Sequence, residues 1–100
     1  MNQINPNQPK KQTQIKASDE KLKGEYSNMM QIIHNKEEFV LDFLNVFPPT
    51  GTLNSRVIVS PGHYKRMIKA MQNSLEKYEE VHGKIEEASE PEKQIGFKGE

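Results

Sequence analysis

The sequence predicts an α+β fold in the order β-β-β-β-α, an antiparallel meander of three to four strands followed by one long C-terminal amphipathic helix. Three observations predict it. Residues 37–47, EEFVLDFLNVF, hold the densest run of large apolar side chains, and at period two Phe39, Leu41, Phe43 and Phe47 share one face. Pro48 and Pro49, followed by Thr-Gly-Thr, break that run with two residues that cannot donate to a strand ladder. Beyond Ser60 and Pro61, apolar residues recur at intervals of three and four, which is the period of a helix with one apolar stripe.

Taken in order, residues 1–11 are Asn, Gln, Pro and Lys with a single core-type residue, Ile4, and are expected to be disordered. Residues 12–85 form one domain. Within it 13–17 alternate weakly and suggest a short edge strand guarded by lysine. Ser18 to Lys21 reads as a turn. Residues 24–34 give a further strand, with Tyr26, Asn28, Met30, Ile32 and His34 on one face. Asn35 and Lys36 separate it from the central run by close to the spacing of a tight hairpin. After the proline break, residues 55–59 (SRVIV) are a short strand rich in branched side chains. Ser60 then suits an N-cap, Pro61 the first helical position, and Gly83 the C-terminal left-handed position. Tyr64, Met67, Ile68, Met71, Leu75 and Tyr78 make the stripe. Residues 86–100 read as an acidic, disordered tail in which Ile95 and Phe97 could dock.

Composition narrows the function classes. The 100 residues include no cysteine, which excludes disulfides and thiolate chemistry. No run reaches the roughly 18 apolar residues a membrane span requires, and the N-terminus lacks a hydrophobic targeting segment, so a cytoplasmic protein is expected. The net charge is zero but unevenly spread: five Lys against Asp19 and Glu20 in residues 1–24, and five Glu against Lys93 and Lys98 in residues 86–100.

The central strand is apolar on both sides, with Val40, Leu44 and Val46 opposite the phenylalanines. One helix covers one face of a small sheet, so the other, with Ile58, is expected to stay wet in an isolated chain. That forfeits several kcal/mol at about 25 cal/mol per Å². Burial between copies follows as an expectation: a homodimer or higher oligomer whose interface takes in Val40, Asp42, Leu44, Val46, Arg56 and Ile58. Asp42 sits among these apolar neighbours, and a cross-strand or cross-subunit pair with Arg56 accounts for it best, the alternative being a wet sheet edge.

Nothing in the residues assembles a catalytic centre. His34, His63 and His82 match no metal-ligand spacing, and Asp42 has no second carboxylate or base in a defined relation to it. Gly51 and Gly62 are isolated, so no phosphate loop exists. No cofactor is expected. Lys65, Arg66 and Lys69 give the helix a basic first half that could meet phosphate. Glu76, Glu79 and Glu80 cancel it in the second half, which disfavours nucleic acid as a partner. The stripe lasts only about two heptads, short of a free-standing coiled coil.

The set Tyr26, Asn28, His34, Glu38-Phe39, Leu41-Asp42-Phe43, Pro48, Ser55-Arg56-Val57-Ile58, Pro61, His63, Lys65-Arg66, Ala70, Asn73 and Tyr78-Glu79 resembles the uncharacterised prokaryotic family called domain of unknown function 3467, over about residues 12–85. That resemblance implies no activity, cofactor or catalytic residue. The order of strands and helix is also similar to that of SecB-like export chaperones, a likeness of fold only. It implies an alternative in which Met29, Met30 and apolar strand residues grip flexible peptides. The expectation favoured by the residues themselves is a non-enzymatic, homo-oligomeric interaction module. The peptide-binding alternative comes second and nucleic-acid binding third.

Overall fold

The structure, a computed structural model, describes residues 12–91 and 94–99. The N-terminal segment expected to be disordered lies outside the described residues. Five elements follow in the order α1 (Asp19–Lys23), β1 (Met29–His34), β2 (Phe39–Phe47), β3 (Thr50–Val59) and α2 (Pro61–His82). The three strands form one antiparallel sheet in the order β1-β2-β3, with β2 at its centre. The α+β class and the C-terminal helix are as the sequence predicts. The fourth strand is not: residues 13–17 carry no regular structure.

The expected turn at Ser18 is instead the start of the short helix α1. The Ser18 hydroxyl accepts from the Lys21 amide at 3.2 Å, and Asp19 and Glu20 occupy the first turn. Those acidic side chains favour the amide end of a helix, and Gly24 at φ 75° ends it after five residues. The β1–β2 connection is closed by Asn35, whose Oδ1 accepts from the amides of Glu37 and Glu38 at 2.8 and 2.9 Å.

The segment between the prolines and Ser55 departs most from expectation. The chain reverses at Pro48-Pro49, which are joined by a cis peptide bond. Thr50 then pairs at once with Phe47, so β3 runs for ten residues where five were predicted. Both residues that cannot donate sit in the turn, which leaves every later residue free to pair. The ladder carries one irregularity. From Phe47–Thr50 to Leu44–Leu53 each residue faces its direct counterpart, but Phe43 faces Ser55, so Asn54 is an extra residue on β3.

Helix α2 is capped as its sequence dictates. The Ser60 hydroxyl accepts from the His63 amide at 3.2 Å, Pro61 opens the first turn, and Gly83 at φ 89° donates its amide to the Glu79 carbonyl. It meets the sheet at its first turns. Tyr64 stacks on Phe39 with ring centroids 3.9 Å apart and planes 4° from parallel, and His34 stacks on the same phenylalanine at 5.2 Å. Tyr64 and Met67 are half-buried, whereas Ile68, Met71, Leu75, Tyr78 and Val81 are exposed.

Among the described residues the buried core is Leu41, Leu44 and Val46, together with one charged residue, Asp42. All four lie on β2. That is a small core for a domain that must offset the entropy of ordering its backbone.

Candidate interaction surface

Asp42 is 4% exposed, yet its carboxylate is fully engaged. Arg56 donates through Nε to Oδ1 at 2.7 Å and through Nη2 to Oδ2 at 2.8 Å, a two-point clasp between adjacent strands of one chain. The hydrogen bonds from Arg56 hold the Asp42 carboxyl below its usual range, against an opposing push from burial. The same carboxylate raises Arg56 above its usual value.

This pair exists because Asn54 is left out of the ladder. In the part of the hairpin nearest the turn, cross-strand partners have numbers summing to 97, as in Leu44–Leu53 and Phe47–Thr50. Continued unbroken, that register would face Asp42 with Ser55 and set Arg56 opposite Leu41, on the other side of the sheet. The extra residue shifts the sum to 98 and brings Arg56 to Asp42.

Ser27 and Asn28 clasp the other edge of β2. The Asn28 amide side chain donates to the Val46 carbonyl at 2.9 Å and accepts from the Val46 amide at 2.8 Å, standing in for a strand residue. The Asn28 backbone amide donates to the Leu44 carbonyl, as does the Ser27 hydroxyl at 2.8 Å. Asn54 donates from Nδ2 to the Tyr26 carbonyl, which ties the residues before β1 to the bulge in β3.

The residues expected to form a subunit interface divide. Leu44 and Val46 are buried within the chain, contrary to the expectation that their face stays wet, and they line a cleft shared with residues 94–99. Arg56 also lies 5.9 Å from the centre of the Phe97 ring. Val40 is half-buried, and Ile58, at 54% exposed, faces solvent with Ile33 beyond it. Met29 and Met30 pair with Leu44 and Phe43 respectively, so they point to opposite faces and form no single patch. Lys65, Arg66 and Lys69 are exposed on α2, where Arg66 Nη2 lies 2.6 Å from His63 Nδ1. Among the described residues no three His, Asp or Glu side chains could share a metal ion, and no helix is long and apolar enough to cross a membrane.

One apolar feature left open is the stripe on α2. From Ile68 through Met71, Leu75 and Tyr78 to Val81 its side chains are 41–75% exposed. Met30, Ile32 and Val57, on the Leu41 face of the sheet, are exposed as well. Sequence periodicity located the stripe. It could not reveal that the stripe stays exposed from Ile68 onward, because that depends on how α2 packs on the sheet and not on its own period. The Asn28 clasp and the Asn54 bulge also escaped it, although two asparagines beside a branched run are a usable signal for side chains that complete a ladder.

No curated protein and no solved structure matches this chain, and the likeness to SecB-like chaperones is not confirmed. A family described as a protein of unknown function (DUF3467) matches residues 1–87. With that match spanning most of its length, the chain belongs to the DUF3467 family.

Proposed function

We propose that this protein is a non-enzymatic, cytoplasmic interaction module that acts as a homo-oligomer. The observation that carries the reading is the exposed stripe from Ile68 to Val81. Contiguous apolar patches of this kind are uncommon on monomers and mark interaction sites. The size of the core points the same way, since among the described residues three buried aliphatic side chains and one ion pair give little surplus over chain entropy. Burying the stripe against a second copy would contribute several kcal/mol. Sedimentation equilibrium at micromolar concentration tests it: a dimer or larger species is expected, and a monomer throughout the range refutes it.

A second reading, a chaperone-like binder of flexible peptides, is favoured by the exposed thioethers of Met30 and Met71. It predicts that near-stoichiometric amounts of the protein suppress thermal aggregation of a client, whereas a passive module gives no protection. Binding of nucleic acid through Lys65, Arg66 and Lys69 has the weakest support, because the acidic second half of α2 opposes it. It would appear as salt-dependent retardation of DNA or RNA.

A further inference from the structure

We infer that the cleft on the Leu44 and Val46 face of the sheet is a peptide-binding site, and that the chain's own C-terminal segment occupies it as a displaceable strap. The ligand is an extended segment of a partner protein with an aliphatic side chain two residues before an aromatic one, as Ile95 and Phe97 stand in the strap. The site is on the opposite side of β2 from Phe39, where Tyr64 of α2 stacks, so the inference does not rest on self-association. Four observations carry it. The first is the floor, which is apolar and already formed. Leu44 and Val46 are buried, Pro48 and Pro49 bound the cleft at the turn, and Gly51 pairs with Val46 without adding a side chain there. A Cβ on Gly51 would stand 3.3 Å from Val46 Cγ2. The second is the wall. Arg56, held by two bonds to Asp42, sets its Cζ over the Phe97 ring, 5.9 Å from the centroid. A guanidinium fixed in this way favours the face of an aromatic ring. The third is how lightly the strap is held. Ile95 is half-buried but Phe97 is exposed, and about 940 Å³ of the cleft stays open between strap and sheet. Core side chains pack without such space, whereas ligand sites run to roughly 300–1,000 Å³. Residues 83–91, which lead to the strap, form neither helix nor strand, so its release breaks no element of the fold. The fourth is extent. The family match spans residues 1–87, which takes in Leu44, Val46 and Arg56 and stops short of Ile95 and Phe97. The floor thus lies within the matched domain and its cover outside it. A ligand segment competes there with a strap tethered at an effective concentration in the millimolar range.

The chain has no tryptophan, so F97W places a single reporter in the strap. In the full chain its emission should be blue-shifted relative to the same indole in a free peptide of residues 91–100, because the cleft shields it from water. Adding the parent peptide of residues 91–100 should return the emission saturably to the free-peptide position. The same peptide with serine at both apolar positions should not. Direct binding supplies a second measurement. The dye-labelled parent peptide should bind I95S/F97S about tenfold more tightly than the parent chain, whose strap competes, with circular dichroism checking that the variant is folded. The F97W titration decides alone should that variant unfold. An F97W emission already at the free-peptide position, or one that saturating peptide leaves unmoved, overturns the inference. Equal affinity of the peptide for the parent and a folded I95S/F97S overturns it too. An emission that moves with protein concentration between about 1 and 100 μM would assign the strap to a second copy's cleft and overturn closure within one chain.

Discussion

Asp42 decides how the sheet tolerates a charge at its centre. Its clasp with Arg56 is worth less than burial of the carboxylate alone suggests, because the Arg56 side chain is 46% exposed and water competes for it. Asp42→Ala removes two charge-assisted hydrogen bonds but strands no charge, since Arg56 can hydrate. A loss of about 1 kcal/mol in urea unfolding is expected. The pH dependence has a definite sign. Asp42 is held below its ordinary value of 3.8 in the folded chain, so the carboxylate form favours folding. That contribution is fully present above about pH 4 and is lost as pH falls through the lowered folded value. The stability gap between the parent and Asp42→Ala should therefore be constant at neutral pH and close below about pH 4. A gap that widened on acidification would show that the clasp does not set the titration. Asn28 matters more than its half-exposed position suggests. Asn28→Ala would leave the amide and carbonyl of buried Val46 without partners, at a cost of about 2 kcal/mol or more. Chemical denaturation measures it, and a change within 0.5 kcal/mol, about the scatter expected of neutral surface substitutions, would mean that water replaces the side chain.

The β2–β3 hairpin carries one inserted residue. Deleting Asn54 would make the ladder continuous: Ser55 would follow Leu53 directly and still face Phe43, and Arg56 would still face Asp42. The deletion removes the bulge and the bond to the Tyr26 carbonyl but keeps the clasp, so it should leave a folded protein with a modest loss of stability. Asn54→Gly keeps the bulge and removes only that bond, and should also stay folded. Circular dichroism of the two variants checks this, and an unfolded deletion variant would mean that the hairpin needs the bulge itself and not only the pairing beyond it. The hairpin also marks the limit of what residue order alone reveals. The pairing of Asp42 with Arg56 was legible because a charge within an apolar run demands a partner, and one stood at a suitable distance beyond the turn. The bulge was not, because an extra residue changes no composition or period and is settled by the contacts of both strands together. Both ends of α2 were legible for the opposite reason: Ser60, Pro61 and Gly83 act on the backbone within one turn of themselves. Residues 13–17 alternate as a strand does, but two or three apolar side chains offer too little to pair an edge. Ser18 captured the following turn as helix instead.

At the scale of the whole molecule, folding and assembly become one equilibrium. A sheet whose buried core lies entirely on β2, joined to a helix open from Ile68 onward, places much of its available apolar burial outside the single chain. If α2 closes against a second copy, the native state is favoured by mass action and the unfolded chain is not. For a folded dimer in equilibrium with two unfolded chains, a hundredfold rise in protein concentration adds RT ln 100, about 2.7 kcal/mol per dimer. Shared between two small domains, that corresponds to a rise in midpoint temperature of roughly 5–10 °C. Thermal unfolding followed from about 1 to 100 μM, spanning the micromolar range typical of such self-association, should therefore shift upward by that amount. L75E, which places a carboxylate in the stripe without touching the sheet, should lower the midpoint and abolish its dependence on concentration. Equal midpoints for the parent at both ends of the range would mean that one chain holds its fold unaided, with the stripe on α2 contributing nothing to it.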